Sequence, residues 1–197
     1  YYNIFEPAER KAAFEQLINL IEEQEYHLDV GVLGGRVLFH VLTDFGYSDL
    51  AFSMITRPDY PSYGNWIARG ATTLWEVFQP EGSDRIGSLN HHFWGDISSW
   101  FTQALSGIRM APHGEPNEVD FRPSFISRLT HAEAFHIAPA GRIASAWERD
   151  EDDVIVLTVE LPSTMHGVIR LESGYVFEDD LAYKAAESGT YRIHSIE

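Results

Sequence analysis

Helical periodicity dominates the first part of the chain. Residues 8–25 place apolar side chains on one stripe with charges elsewhere, which predicts an amphipathic helix. Residues 33–45 are apolar on more sides and are followed by Gly46, which predicts a second, more buried helix with a glycine at its C-terminus. Ser48 is predicted to cap a third helix that runs through residue 55.

Three further helices are predicted before about residue 110. Two are short and cover residues 64–69 and 73–79, and the third covers residues 90–106, which carry the longest apolar stripe of this half. The connections between them are rich in Gly, Pro and Tyr. This half of the chain is therefore predicted to be helical.

The hydrophobic period changes to two from Arg122 onward. Alternating runs of this kind predict strands, here at residues 134–137, 143–149, 154–161, 165–171, 175–177 and 190–196. The acidic run at residues 150–153 is predicted to be a hairpin loop, and a helical turn is predicted over residues 180–187. This spacing of strands is typical of a β-sandwich.

The pattern predicts an α+β chain of two domains. Pro and Gly interrupt both periods over residues 110–122, which we interpret as the linker. The predicted domains are a helical one over residues 1–121 and an antiparallel β-sandwich over residues 122–197.

Composition narrows the possible partners. The formal net charge of -16 opposes nucleic acid and anionic membrane surfaces, so neither is expected as a partner. No apolar run is long enough to span a membrane, and the lack of cysteine excludes disulfides and thiolate metal sites. The chain begins at Tyr1 and not at Met, which suggests a piece of a longer protein. The compartment is left open by these features.

Glu76 is the residue with the most unusual sequence environment. It follows Gly70-Ala-Thr-Thr-Leu-Trp and precedes Val77 and Phe78, so its carboxylate is expected among large apolar side chains, where the pKa rises toward the range of proton transfer. Thr73 and Glu76 also fit a capping box at the start of a helix, a structural role. Spacing alone leaves both roles open.

A pair of histidines follows in Ser88-Leu-Asn-His-His-Phe-Trp-Gly95. His91 and His92 are predicted at the start of a helix, where adjacent side chains diverge by about 100° and do not chelate one metal ion. An imidazole there is kept neutral and can donate to a sugar hydroxyl, or it simply packs on aromatic rings. The tryptophans, Trp75 among them, serve either as sugar platforms or as core.

The motifs in order resemble those of a known enzyme family. Gly31-Val-Leu-Gly-Gly35, Asp49-Leu-Ala-Phe52, Tyr60-Pro-Ser-Tyr-Gly64 and the Glu76 and His91 motifs are similar to the end of the catalytic domain of bacterial α-L-rhamnosidases of glycoside hydrolase family 78. Phe135-His-Ile-Ala-Pro139 and Gly141-Arg-Ile-Ala-Ser-Ala-Trp147 resemble the β-sandwich that follows that domain. The similarity covers about residues 10–175.

The resemblance implies a fold and a set of site residues. It implies the last helices of an (α/α)6 barrel followed by a C-terminal β-sandwich, with rhamnose-containing glycans or glycosides as substrate and no metal or other cofactor. Glu76 matches the general base of an inverting hydrolysis and His91 matches a rhamnose contact. The same motifs supply Trp75, Asn90 and Tyr63 as further candidate substrate contacts.

The chain also departs from the family pattern. Nothing in it matches the upstream Asp-rich segment that bears the general acid, and the loop over residues 77–87 is short for the family. We therefore expect the missing N-terminal part of the same polypeptide to be a necessary partner, and the isolated chain to be inactive. Two alternatives stay open: another helical-barrel glycosidase or sugar phosphorylase, and a non-catalytic carbohydrate-binding or structural module. A glycan-degrading parent is often exported.

Overall fold

The structure is a computed structural model that describes residues 2, 4–84 and 87–196. These residues form two compact units, Tyr1–Ile97 and Ser98–Glu197. The predicted short loop over residues 77–87 includes residues 85 and 86, which lie outside the described residues. Among the described residues no helix is long and apolar enough to cross a membrane.

The first unit is helical, as predicted. Its helices are α1 (Arg10–Glu23), α2 (Val32–Asp44), α3 (Ser48–Thr56) and α4 (Tyr63–Ala68). Helix α2 buries Gly35, Leu38, Phe39 and Leu42, the i, i+3, i+4, i+7 stripe of a helix packed on a core. Burial of each of its large apolar side chains contributes about 1.5–3 kcal/mol to folding.

The ends of these helices show how local chemistry stops and starts them. Gly46 follows α2 with φ of +83°, a left-handed conformation that costs glycine little, and so confirms the predicted C-terminal glycine. Helix α3 begins at Ser48 itself with Tyr47 in the capping position, so the predicted cap at Ser48 is wrong. Ser62 caps α4, because its hydroxyl accepts the Asn65 N–H at 2.9 Å.

Two predicted helices are wrong in whole or in part. Residues 73–79 form no helix, and the helix predicted over residues 90–106 begins only with α5 (Ile97–Trp100), which continues as a π-helix over Phe101–Leu105. Residues 73–76 and residues 88–91 instead form hydrogen bonds with each other, although they are distant in sequence. A local pattern cannot reveal such partners.

The second unit is a β-sandwich of two sheets. Its strands are β1 (Ile108–Met110), β2 (Val119–Phe121), β3 (His131–Ala138), β4 (Gly141–Arg149), β5 (Ile155–Glu160), β6 (Val168–Arg170), β7 (Tyr175–Phe177), β8 (Tyr183–Ala185) and β9 (Gly189–Ser195). One sheet has the order β1-β2-β6-β8 and contains the parallel pair β2–β6, and the other has the order β3-β4-β5-β9-β7 and is antiparallel throughout. The predicted sandwich after a helical part is confirmed.

The core of this unit joins the inner faces of both sheets. Phe121 and Ile169 from the first sheet and Trp147 and Leu157 from the second belong to one buried cluster. On β5 the alternation of Ile155, Leu157 and Val159 inward with Thr158 and Glu160 outward matches the predicted period of two.

Three details of the second unit differ from the sequence prediction. The segment expected as a linker, residues 110–122, contains β2, which pairs with β1. The segment expected as a helical turn, residues 180–187, contains strand β8 instead. The acidic run is the β4–β5 hairpin loop, as predicted, and Asp150 accepts the backbone N–H groups of Asp152 and Val154 within it. The predicted domain boundary between residues 121 and 122 remains a prediction.

Candidate functional site

Glu76 lies in an irregular segment that is hydrogen-bonded to a second one. The Glu76 N–H donates to the Ser88 carbonyl, and the Ser88 N–H donates to the Glu76 carboxylate, both at 2.8 Å. Further along, the His91 N–H donates to the Leu74 carbonyl at 2.8 Å and the Thr73 hydroxyl donates to the Leu89 carbonyl. These bonds join residues 73–76 to residues 88–91, and we call the pair the clamp.

The clamp corrects the capping box predicted for Thr73 and Glu76. Both side chains do accept or donate to backbone groups, as in a capping box, but their partners are Leu89 and Ser88 across the clamp. No helix starts here. The Thr73 and Glu76 side chains therefore form their hydrogen bonds with a second segment and not with the first turn of a helix of their own.

The side chain of Trp94 holds the clamp through a hydrogen bond to its backbone. Its indole N–H donates to the Glu76 carbonyl at 3.0 Å, and the indole is only 7% exposed. A Cβ on Gly35 would come within 2.4 Å of the Trp94 ring, so α2 needs glycine at this position to admit the indole. The helix therefore takes part in placing the backbone of Glu76.

Tyr63 supports Trp94 in turn. The Tyr63 hydroxyl donates to the Trp94 carbonyl at 3.1 Å, and its ring packs edge-on against Trp66 and Phe78. Burial raises the pKa of the Tyr63 phenol, and the nearby charge of Asp96 adds to the rise. In this arrangement Tyr63 can act on the site through Trp94, and its predicted contact with sugar remains a prediction.

His91 lies on the clamp and not at a helix start, so the predicted helix-dipole effect on its ring does not apply. Its Nδ1 accepts the Phe93 N–H at 3.2 Å, which places the proton of the neutral ring on Nε2. The ring stacks on His92 with centroids 5.0 Å apart and meets the Phe93 ring edge-on at 3.9 Å. His91 is half-buried, whereas His92 is exposed.

Asn90 and Trp75 complete the predicted residues. Asn90 is exposed on the clamp between Ser88 and His91, and its carbonyl accepts the Ser88 hydroxyl at 3.0 Å. Trp75 is half-buried, with the Arg69 guanidinium 5.2 Å from its ring centre and the Trp66 ring 6.0 Å away. The clamp thus brings together Trp75, Glu76, Asn90 and His91, while Tyr63 is linked to it through Trp94.

A cavity of about 330 Å³ opens beside Glu76. Its wall includes Asp29, Gly31, Tyr60, Glu76 and Trp94. Sequence reasoning missed Asp29, a second and exposed carboxylate, because nothing in the pattern around it signals chemistry. The other missed wall residues, Gly31 and Tyr60, do lie in motifs that carry the family resemblance.

The side chains that carry polar groups on the wall of this cavity are those of Asp29, Tyr60, Glu76 and Trp94. No group of three or more His, Cys, Asp or Glu side chains able to hold a metal ion occurs in the part of the chain that the structure describes. His40 is bonded to Asp96 at 2.9 Å. What remains at the cavity is an oriented carboxylate with donor and aromatic groups near it on the same clamp, an arrangement suited to polar hydroxylated ligands.

Comparison with known proteins finds one enzyme family. The sequence model of the bacterial alpha-L-rhamnosidase 6 hairpin glycosidase domain matches residues 1–105. The model of the bacterial alpha-L-rhamnosidase C-terminal domain matches residues 117–174. The chain is 33% identical over 166 residues to an alpha-L-rhamnosidase of Streptomyces avermitilis, a match that covers 81% of this chain and 16% of that relative.

Two solved structures share the fold of nearly the whole chain. The alpha-L-rhamnosidase from Dictyoglumus thermophilum is 26% identical with a TM-score of 0.84, over 100% of this chain and 24% of its own. The Streptomyces avermitilis alpha-L-rhamnosidase complexed with L-rhamnose is 28% identical with a TM-score of 0.83, over 97% of this chain and 20% of its own. The chain therefore spans less than a quarter of the length of these relatives.

Proposed function

Because this chain belongs to the family of bacterial α-L-rhamnosidases with a six-hairpin glycosidase domain, we propose that it supplies the general base for inverting hydrolysis of terminal α-L-rhamnosides. The substrate is a rhamnose-containing glycan or glycoside. Hydrolysis, and not phosphorolysis, is favoured because the relatives it matches are named α-L-rhamnosidases.

The observation that carries this proposal is the position of the Glu76 carboxylate. It is half-buried, lines the 330 Å³ cavity, and has one oxygen held by the Ser88 N–H at 2.8 Å. A general base has to be oriented toward its water before the reaction, and a hydrogen bond from a backbone N–H provides that orientation without a mobile side chain. In an inverting enzyme this water lies between the base and the anomeric carbon, which requires the two catalytic carboxyl groups to be about 6.5–9.5 Å apart.

The other residues of the clamp are proposed to bind the sugar. The Nε2–H of His91 donates to a rhamnose hydroxyl, Asn90 offers its exposed amide, and Trp75 offers a ring for stacking. Asp29, on the same cavity wall as Glu76, is proposed to accept hydrogen bonds from sugar hydroxyls. Tyr63 and Trp94 are proposed as positioning residues for Glu76.

We further propose that the isolated chain is inactive. No residue here matches the family's general acid, without which the leaving oxygen is not protonated. Leu33, Ile67 and Leu89 in the first unit are 75%, 72% and 52% exposed, and we propose that the missing part of the polypeptide covers them. A rhamnoside assay on the 197-residue chain should show no turnover, and a rate of the order of 1 s⁻¹, ordinary for an enzyme, would contradict this.

The test of Glu76 uses the complete enzyme that contains this chain. Glu76→Gln keeps the shape of the side chain but removes its basicity, so kcat for an aryl rhamnoside should fall by about 10²–10⁴-fold while rhamnose still binds. Glu81→Gln, which makes the same change at an exposed position in the following loop, should leave kcat unaltered. An unchanged rate in Glu76→Gln would end the assignment.

Stereochemistry and phosphate dependence test the rest of the proposal. NMR of the first product should show β-L-rhamnose, because attack from the face opposite the leaving group inverts the anomeric centre. The reaction should run at full rate in a buffer without phosphate. Release of α-L-rhamnose, or an absolute need for phosphate, would replace inversion or hydrolysis by another mechanism.

A further inference from the structure

A second cavity, of about 830 Å³, lies entirely within the second unit. Two guanidinium groups and two imidazoles line it, those of Arg109, Arg122, His113 and His136. Much of the remaining wall is hydroxyl and amide: Ser98, Ser99, Thr102 and Gln103. The cavity is formed by residues that the proposed rhamnosidase chemistry does not use.

The wall of this cavity has the opposite charge pattern to the chain as a whole. The chain has 30 Asp and Glu against 14 Lys and Arg, yet none of the described residues that line the cavity is Asp or Glu. The guanidinium, amide and hydroxyl groups of the lining offer hydrogen-bond donors to a ligand that enters. A ligand rich in acceptor oxygens is the natural complement of such a wall.

Two carboxylates hold basic side chains of the wall in place. Asp120, which is 2% exposed, accepts from Arg122 at 2.6 Å, and Glu118 accepts from the His113 ring at 2.7 Å. Asp120 engages one terminal nitrogen of this guanidinium, Nη2, and the Nε is buried without a hydrogen-bond partner among the described residues. Arginines fixed in this way need little reordering when an anion binds.

We propose that this cavity binds an anionic saccharide through its carboxylate or sulfate group. The guanidinium fork matches the paired oxygens of either group, and the hydroxyl and amide side chains suit the sugar hydroxyls around it. The volume falls within the range of about 300–1,000 Å³ that is typical of small-molecule sites. A free inorganic anion would fill only a small part of it.

The experiment titrates the 197-residue chain with sodium D-glucuronate and with D-glucose by calorimetry at constant ionic strength. Glucuronate should bind with a Kd of the order of 1 mM and glucose at least about ten-fold more weakly. Arg109→Gln should weaken glucuronate binding by about ten-fold or more. Arg170→Gln removes the same charge from an exposed position on β6, outside the cavity, and should change nothing.

A second variant keeps the test decisive if Arg109→Gln fails to fold. His136 is exposed on β3, so His136→Glu is tolerated structurally and places an acid at the wall, which should also weaken binding by about ten-fold. Equal binding of glucose and glucuronate, no binding of glucuronate, or insensitivity to His136→Glu would each overturn the proposal.

Glucose 6-sulfate and inorganic sulfate complete the set of probes. Tighter binding of the sugar sulfate than of glucuronate assigns the site to sulfate, and the reverse assigns it to carboxylate. If inorganic sulfate binds as tightly as glucose 6-sulfate, the sugar is not recognised and the proposal fails. None of these outcomes depends on hydrolysis at Glu76, so failure here leaves the rhamnosidase assignment standing.

Discussion

Replacing Tyr63 with phenylalanine tests how Trp94, which holds the Glu76 carbonyl, is kept in place. The Tyr63 side chain is 7% exposed, and its hydroxyl donates to the Trp94 carbonyl at 3.1 Å. Tyr63→Phe removes this donor and leaves the carbonyl without it in a buried setting. The free energy of unfolding should therefore fall by about 1–2 kcal/mol at neutral pH.

Alkaline pH should remove the difference in stability between the two proteins. Burial raises the pKa of the Tyr63 phenol, so above about pH 10 the unfolded chain loses a proton that the folded chain keeps. The contribution of Tyr63 to stability is therefore complete below that pH and declines above it, by about 1.4 kcal/mol at one pH unit higher. Phenylalanine has no such proton, so the two stability curves should meet at about pH 11.

Urea unfolding followed by tryptophan fluorescence between about pH 7 and pH 11 measures both effects. Tyr47→Phe is the matched control, because this phenol is 43% exposed and its loss should alter stability by less than about 0.5 kcal/mol. The reasoning is refuted if Tyr63→Phe is as stable as the parent at pH 7 and declines in the same way at high pH.

Two further substitutions test the second unit and a surface ion pair. Gly167→Ala should lower the free energy of unfolding by more than about 4 kcal/mol and abolish soluble expression, because its Cβ would lie 1.6 Å from the Val119 carbonyl oxygen. Gly189→Ala is the control: a Cβ there meets nothing within 4 Å, so this variant should melt like the parent. The hydrogen bond from Arg57 holds the pKa of Asp59 below its usual range, but the carboxylate is 52% exposed. Asp59→Asn should therefore cost less than about 1 kcal/mol in thermal unfolding at pH 7, and this difference should shrink as the pH falls below about 4.

The helices of the first unit were predictable because their burial pattern is local. In α2 the buried positions 35, 38, 39 and 42 repeat with the period of the helix itself, and Gly46 marks its end by a conformation that few other residues adopt. The long strands β4 and β5 were predictable for the same reason, with a period of two. In each case the sequence carries the whole signal within one segment.

Elements that depend on a distant partner escaped the sequence analysis. Strand β2 has three residues and pairs with β1 on one side and in parallel with β6 on the other, where Phe121 faces Ile169, a residue 48 positions away. The clamp poses the same problem, because Thr73 and Glu76 carry a helix-start pattern that only Leu89 and Ser88 override. Propensity yields to tertiary hydrogen bonds at both places.

The residues of the candidate site were also only partly predictable from the sequence. Glu76 and His91 could be singled out from their motifs, since those motifs are contiguous in sequence. Asp29 and the supporting role of Trp94 could not, because they depend on how the residues before α2 and the bond to the Glu76 carbonyl are placed in space. The sequence indicated which residues carry the candidate chemistry, but not the geometry that brings them together.

The orientation of the proposed base and the shape of the cavity depend on different parts of the chain. Ser88 fixes the Glu76 backbone and carboxylate together, and Trp94 fixes the Glu76 carbonyl, so the orientation of the proposed base is set by bonds made outside the loop over residues 77–87. Val77 and Phe78, at the start of that loop, line the cavity. A loop anchored in this way can differ in length among relatives and reshape the cavity, and hence the choice of substrate, while the base keeps its orientation. A short loop is thus compatible with an intact general base.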